Sequence, residues 1–165
     1  LYQEIMAAGR AHGIVNFGMR ALLSLRLEKN FPTWYRELRP IYGPIEAGLD
    51  RFVDFAKPDF IGREAAIRER DSGGTLRRVT LVVDATDADV LGDEPIWHEG
   101  KVIGWVTSGG YGHCVDRSLA QGYVPRALGG AVRAGAFAVE ILGERRPATI
   151  AAEPLFDPQG LRMRA

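Results

Sequence analysis

Hydrophobic positions recur at helical spacing in the first part of the chain. In "LYQEIMAAGRAHG" and "FGMRALLSLRLEKN" the apolar side chains fall three or four residues apart, which predicts two helices. Gly13 and Asn30 suit the closing positions of these helices, since both residue types tolerate a left-handed backbone. "FIGREAAIRERDSGG" predicts a third, short helix that ends at Gly73 and Gly74.

Between the second and third predicted helices the pattern breaks down. "FPTWYRELRPIYGPIEAG" holds three prolines and two glycines, which predicts an irregular segment lying over other structure. "LDRFVDFA" alternates. One side holds Leu49, Arg51, Val53 and Phe55, and the other holds Asp50, Phe52 and Asp54. This period of two predicts a strand over residues 49–56.

From Leu76 onward short β-type runs follow one another without intervening helices. "LRRVTLVVD" and "SLAQGYVP" predict single strands, and "PIWHEGKVIGWVTS" predicts two strands joined at Glu99-Gly100. "GAFAVEILGERRPATIAA" predicts two more, with a turn at Gly143-Glu144. The fold class is therefore α+β, with an α/β segment over residues 1–72 and a small antiparallel β-barrel or sandwich over residues 73–165.

Composition narrows the possible partners. The 165 residues are 46% hydrophobic, and 21 basic residues balance 21 acidic ones, so no bulk field attracts nucleic acid or anionic lipid. No apolar run approaches the length of a membrane span. One cysteine and three scattered histidines make a metal site improbable. The chain also opens within a predicted helix and without Met, so we expect a C-terminal piece of a longer protein.

The run "SGGYGHC" invites two chemical interpretations, and both fail on its context. A phosphate loop would need a following helix and a Lys-Ser/Thr pair, and neither is present. His113 and Cys114 are neighbours that point to opposite faces of an extended chain, so we expect a small apolar cysteine in or near the barrel. The acidic "DATDADVLGDE" lacks calcium-loop spacing and is interpreted as a solvated loop.

Residues 20–42 are a further candidate site, because they could form a surface that binds a ligand. Arg26 shares the helix face of Met19 and Leu22, where an arginine either pairs with an internal carboxylate or binds an anionic ligand. Both interpretations stay open. The aromatic residues of the irregular segment could form a wall for a flat heterocycle. They are Trp34, Tyr35 and Tyr42.

The order of motifs resembles the aminomethyltransferase family. The motifs are "SLRLEKNF…W", "PIEAGLDRFVDFAKPDFIGREAAI", "PIWHEGKVIGWVTSGGYGHCVDRSLAQGYV" and "EPLFDPQGLRMR", and together they cover essentially the whole chain. That family includes the glycine-cleavage T-protein and the C-terminal regions of dimethylglycine and sarcosine dehydrogenases. "FGMRALLSLRLEKNF" and "EPLFDPQGLRMR" look closer to the dehydrogenase branch. A T-protein normally has an Arg-Asp pair, whose Arg helps to bind folate, where Leu22 and Leu23 stand here.

The resemblance implies a tetrahydrofolate-binding fold in which this chain forms one wall of the folate channel and the closing barrel. The catalytic Asp and the Glu that holds the pterin would lie upstream, as would an FAD domain, so no catalytic residue is expected here. The implied folate-binding residues are Phe31, Trp34, Arg20, Arg26 and Arg162, with ordinary packing or a surface charge as the alternative for each. Arg20 is the candidate replacement for the missing Arg, although a shift of two helical positions turns a side chain by about 200°.

The implied function is the folate-binding portion of a dimethylglycine/sarcosine dehydrogenase-type oxidoreductase, which passes a one-carbon unit from an N-methyl amine to tetrahydrofolate. The alternatives are a stand-alone aminomethyltransferase and a non-catalytic folate-binding or scaffold module. The expected partners are folate, a methylated glycine and the upstream FAD domain, with neither nucleic acid nor membrane. The expected location is the bacterial cytoplasm, or the mitochondrial matrix in a eukaryote.

Overall fold

Three helices precede a six-stranded barrel in the computed structural model, which describes residues 1–130, 136–162 and 164. The helices are α1 (Tyr2–Gly9), α2 (Met19–Glu28) and α3 (Arg63–Ser72). A 3-10 turn, Arg10–His12, extends α1 up to Gly13, which is left-handed. Asn30 and Gly73 close the other two helices with positive φ, so the three predicted helices are confirmed.

All six strands pair antiparallel in the order β1-β4-β3-β2-β5-β6, and β6 returns to β1 to close the barrel. Their bounds are β1 (Leu76–Val83), β2 (Pro95–His98), β3 (Lys101–Gly112), β4 (Arg117–Pro125), β5 (Phe137–Ile141) and β6 (Glu144–Ile150). This architecture confirms the α+β fold class and the antiparallel barrel.

The barrel interior forms one hydrophobic core. Alternate residues of each strand point inward, as the period of a pleated sheet requires. The fully buried members include Leu81, Ile96, Val106, Val124 and Val139. Because closure leaves no free sheet edge, the barrel is a rigid base on which the preceding segments pack.

The predicted strand over residues 49–56 is wrong. Asp50–Phe52 is a 3-10 turn, with hydrogen bonds from Phe52 N to Leu49 O (2.9 Å) and from Val53 N to Asp50 O (3.0 Å). A strand needs a neighbour to pair with, and the closed barrel offers none here. The alternation of apolar and polar residues instead comes from a turning chain with one side against the protein.

The family resemblance also implies that the glycine-rich run "SGGYG" is a link between two barrel strands, with glycines that permit tight turns, and this expectation is wrong. Gly109, Gly110 and Gly112 all lie inside β3, and the connection to β4 is the later turn over residues 113–116. A Cβ at Gly109 would lie 2.6 Å from Val90, and one at Gly112 would lie 3.0 Å from Cγ of Glu28. These glycines therefore permit close packing of the loop and of α2 against the strand, rather than tight turns.

The two predicted hairpin turns differ in outcome. Glu99 and Gly100 form the first turn with φ of 48° and 76°, as predicted. The second turn is formed by Leu142 and Gly143, with φ of 51° and 83°, and Glu144 already belongs to β6. The predicted turn at Gly143-Glu144 is therefore shifted by one residue along the chain. The prediction placed Gly at the first of the two turn positions, but a tight hairpin also accepts Gly at the second.

Candidate functional site

A basic cleft of about 610 Å³ lies between the end of α2, the segment after it and the C-terminal segment. Its lining residues are Lys29, Asn30, Phe31, Gly48, Arg51, Arg78, Pro154, Pro158, Gln159, Gly160 and Arg164. Four of them are cationic, and none of the described lining residues is a carboxylate. The basic cleft therefore suits an anionic ligand, for which Phe31 adds an aromatic surface.

The cations of the basic cleft differ in how firmly they are held. Arg78 is anchored: its Nε donates to the carbonyl of Ala47 (3.0 Å), and its Nη1 donates to Oδ1 of Asn30 (2.8 Å). Burial is the main cause that lowers the pKa of Arg78. Lys29 pairs with Asp157 at 3.2 Å, which ties α2 to the C-terminal segment. Arg51 lies over the ring of Phe52, 4.6 Å from its centroid, so its guanidinium is available at the surface.

A second, aromatic cleft of about 500 Å³ is formed by the irregular segment 34–49. Its lining residues are Trp34, Tyr35, Leu38, Arg39, Pro40, Tyr42, Gly43, Pro44, Ala47 and Leu49. One face of Tyr42 stacks on Tyr123 of β4, with ring centroids 3.6 Å apart and planes at 10°. The aromatic residues that the sequence suggested as a wall for a flat heterocycle do line one cleft.

Glu37 connects this irregular segment to the barrel. The side chain is fully buried and accepts five hydrogen bonds: from Arg26 Nη1 (3.1 Å), Thr33 N (2.7 Å), Thr33 Oγ1 (2.9 Å), Thr107 Oγ1 (2.6 Å) and Ser108 Oγ. Burial alone would raise the pKa of Glu37, but these hydrogen bonds and the charge of Arg26 outweigh burial and hold the pKa below its ordinary value.

The structure places the five sequence-predicted folate residues at separate positions. Phe31 lines the basic cleft, whereas Trp34 lines the aromatic cleft. Arg26 is 8% exposed and forms the internal ion pair with Glu37, which was one of its two interpretations. Arg20 is exposed on α2, and Arg162 lies over Phe156 with its guanidinium carbon 5.2 Å from the ring centroid.

Sequence reasoning missed all four cations that line the basic cleft, namely Lys29, Arg51, Arg78 and Arg164. They come from the end of α2, a 3-10 turn, a strand and the C-terminal segment. No spacing rule connects such distant positions. The nearest signal was the resemblance itself, which brought "SLRLEKNF" and "EPLFDPQGLRMR" into the same folate region.

Cys114 is exposed in the turn between β3 and β4, so it lies near the barrel, as expected, but it is not packed as a small apolar residue. Its backbone N–H donates to Oε1 of the buried Glu28 at 2.7 Å. Hydrogen bonding to Glu28 is the main cause that raises the pKa of the Cys114 thiol, which disfavours the nucleophilic thiolate. His113 packs against Tyr111 instead, with ring centroids 5.1 Å apart.

Two further features are absent from the described part of the chain. No group of three His, Cys, Asp or Glu side chains there could hold a metal ion. No helix among the same residues has both the length and the apolar character that crossing a bilayer requires.

Comparison with known proteins adds the family. The model of the GCVT N-terminal domain matches residues 1–57, and that of the glycine cleavage T-protein C-terminal barrel domain matches residues 77–157. The chain is 44% identical to mouse (Mus musculus) mitochondrial dimethylglycine dehydrogenase in an alignment of 165 positions, which covers 99% of this chain and 19% of that protein. It is 35% identical to human (Homo sapiens) mitochondrial sarcosine dehydrogenase in an alignment of 170 positions, which covers 99% of this chain and 18% of that protein.

The fold agrees with these matches. The crystal structure of the glycine cleavage system aminomethyltransferase T from Bartonella henselae superimposes with a TM-score of 0.76 at 29% identity. It covers 86% of this chain and 39% of that one. The chain thus spans less than half of each of these relatives. With both domain models matched in order and the barrel present, the chain belongs to the glycine-cleavage T-protein family of aminomethyltransferases.

Proposed function

We propose that this chain is the tetrahydrofolate-binding portion of a dimethylglycine/sarcosine dehydrogenase-type enzyme, which transfers a one-carbon unit from an N-methyl amine to tetrahydrofolate. The observation that carries the proposal is the basic cleft beside Phe31, in a chain that matches such dehydrogenases along 99% of its length. The enzyme would act in the bacterial cytoplasm or the mitochondrial matrix; the two dehydrogenases named above are mitochondrial by name.

The chemistry of the basic cleft fits a folate. A folate joins flat heteroaromatic and aminobenzoyl rings to a glutamate tail, so it needs an aromatic contact at one point and cations at another. Phe31 offers the first, and Arg51, Arg78 and Arg164 offer the second. When bound, tetrahydrofolate supplies the nitrogen atoms that accept the one-carbon unit.

The residues of this chain would bind and orient the folate rather than transfer protons. Because the chain covers only 19% of the matching dimethylglycine dehydrogenase, the catalytic Asp and the Glu that holds the pterin are proposed to lie outside this chain. The FAD site is also proposed to lie outside this chain. The described residues after α3 build an antiparallel barrel and not the parallel strand–helix units of a dinucleotide fold.

The five predicted residues would then contribute unequally. Phe31 lines the basic cleft and would contact folate directly. Arg162 lies over Phe156 and does not line the cleft, so it would have to reach folate from the neighbouring C-terminal segment. Arg26 would act indirectly by holding Glu37. Arg20 and Trp34 do not line the basic cleft, and we assign them no direct contact there.

The test is calorimetric titration of the complete natural protein with tetrahydrofolate under anaerobic conditions. Phe31→Ala and Arg51→Gln are each expected to raise Kd about tenfold, the value of one lost aromatic contact or one lost charged hydrogen bond. Arg68→Gln is the matched control, because Arg68 is exposed on α3 and does not line the basic cleft. Unchanged Kd in both cleft variants would refute the assignment of folate to this cleft.

A stand-alone aminomethyltransferase or a non-catalytic scaffold is the second candidate. The likeness to aminomethyltransferase T over 86% of this chain favours it. Flavin reduction on addition of dimethylglycine to the complete protein separates the candidates. Reduction supports the dehydrogenase, whereas folate binding without flavin reduction supports the second candidate.

A further inference from the structure

The aromatic cleft contains a rigid ring platform that the proposed function does not use. Tyr123 is fully buried, and its hydroxyl donates to the carbonyl oxygen of Glu37 at 2.8 Å. Tyr42 stacks on Tyr123 with nearly parallel planes. Tyr42 also lines the aromatic cleft, and because Tyr123 covers one face of its ring, a ligand ring in the cleft could stack only on the opposite face.

The walls beside this platform are exposed aromatic rings. The side chain of Trp34 is 69% exposed and that of Tyr35 is 82% exposed, and their planes meet at 84°. Tyr35 also has a φ of 69°, in the left-handed region that a bulky side chain rarely adopts. A strained backbone that presents an aromatic side chain at the rim of a cleft points to a ligand contact.

One cation completes the aromatic cleft. Arg39 is the only charged residue among the described lining residues. No carboxylate of the described ranges lies in ion-pair distance of its guanidinium. A ligand here would therefore carry flat apolar rings for Tyr42 and Trp34 and a negative group for Arg39.

We propose that the aromatic cleft binds a small planar aromatic carboxylate, with its ring stacked on Tyr42 beside Trp34 and its carboxylate paired with Arg39. A volume of about 500 Å³ admits a ligand of one or two fused rings, and it falls within the range of small-molecule sites. The hydrogen bonds of Glu37 and Tyr123 hold the stacked rings of Tyr42 and Tyr123 in place before a ligand binds. The protein therefore loses less conformational entropy on binding.

This site is separate from the one proposed for folate. Gly48 lines the basic cleft, whereas its neighbours Ala47 and Leu49 line the aromatic cleft. The two clefts thus share one stretch of backbone but have no lining residue in common. The proposal does not depend on folate binding and can fail or hold independently of it.

The test is calorimetric titration of the complete natural protein with naphthalene-2-carboxylate and with the uncharged naphthalene-2-carboxamide. Arg39→Gln is expected to raise Kd about tenfold for the carboxylate and to leave Kd for the carboxamide unchanged. Trp34→Ala is expected to weaken both probes and to leave tetrahydrofolate binding unchanged. Arg36→Gln is the control, because Arg36 is an exposed neighbour that does not line the aromatic cleft.

Three outcomes would overturn the proposal. One is absence of binding of the carboxylate to the wild-type protein, for example because another part of the complete protein covers the cleft. The second is an equal effect of Arg39→Gln on both probes. The third is competition between the carboxylate and tetrahydrofolate, which would mean that a single folate site accounts for both. Thermal unfolding of each variant checks that the fold is intact.

Discussion

Glu37 shows how one side chain can position two clefts. It sits in an irregular segment with no regular hydrogen-bond ladder of its own, yet it is the most fully satisfied carboxylate of the described residues. Its contacts reach α2 through Arg26 and β3 through Thr107 and Ser108. The segment that carries both Phe31 and Trp34 is therefore held by a buried charge cluster rather than by secondary structure.

Glu37→Gln is expected to lower the free energy of unfolding by about 3–5 kcal/mol, because it leaves the charge of Arg26 buried without a counter-charge. Urea unfolding followed by circular dichroism measures the change. Glu64→Gln is the control: Glu64 is 91% exposed in its pair with Arg68, so its loss should cost less than about 0.5 kcal/mol. A small effect of Glu37→Gln would show that the cluster contributes little to stability.

Glu37 should also make the stability of the fold depend on pH. The pKa of Glu37 in the folded chain lies below its ordinary value of 4.5, so the folded state binds a proton less readily than the unfolded state. The stabilisation is present above the unfolded-state pKa and is lost as the pH falls through the folded-state pKa. The stability gap between the wild type and Glu37→Gln should shrink on acidification below about pH 4.5. A gap that is constant from pH 7 to pH 3 would contradict this assignment.

At the scale of elements, strand β3 has two roles, as a wall of the barrel and as a packing surface for other segments. It forms the barrel wall, and its glycines also let Glu28 of α2 and the loop at Val90 approach closely. Gly112→Ala is expected to cost about 1–3 kcal/mol, because its Cβ would lie about 3 Å or less from Leu119, Val115 and Glu28. Gly130→Ala, where a Cβ would come no closer than 3.8 Å to Nη1 of Arg77, is the control and should change stability by less than about 0.5 kcal/mol. Equal costs for the two would argue against close packing.

The second hairpin offers a stabilising change. Leu142 is 93% exposed and adopts a φ of 51° before Gly143, a position at which Asn is strongly preferred. Leu142→Asn is expected to raise the free energy of unfolding by about 0.5–1 kcal/mol, because Asn visits the left-handed region at lower cost. Lys101→Asn, in the exposed start of β3, is the control and should not stabilise. The measurement is thermal unfolding, and a lower midpoint for Leu142→Asn would contradict the turn assignment.

At the scale of the whole molecule, charge balance and exposed apolar surface act together. The 21 basic and 21 acidic residues leave no net charge to keep copies apart at neutral pH. Large apolar side chains of α2 are exposed, among them Met19, Leu22, Leu23 and Leu25. This helix face is unpartnered among the described residues, so the 165-residue chain expressed alone is expected to self-associate near pH 7.

Light scattering after size exclusion measures this association. Leu23→Glu should reduce the apparent mass, because it places a charge within the apolar face of α2. Leu142→Glu, at the tip of a hairpin, changes the net charge equally but lies on β5–β6 and not on α2. An equal reduction by both variants would attribute the association to net charge instead.

Much of the architecture could be predicted from local signals. Helix ends followed from Gly13, Asn30 and Gly73, whose backbone freedom is a property of the residue itself. The false strand over residues 49–56 shows the limit, since alternation records which side of a segment is buried but not whether another strand is available to pair with it. The domain boundary at residues 72 and 73 stays a prediction.

The sequence by itself determined the family, the three helices and the succession of strands, because capping residues, hydrophobic period and ordered motifs are encoded by neighbours along the chain. Only the tertiary structure decided that Arg26 is satisfied internally by Glu37, and that Phe31 and Trp34 line different clefts. It alone brought Lys29, Arg51, Arg78 and Arg164 to one basic cleft. These groupings depend on how the barrel closes and on the path that the irregular segment takes over the barrel. No local pattern sets the distance between residues that are far apart in sequence.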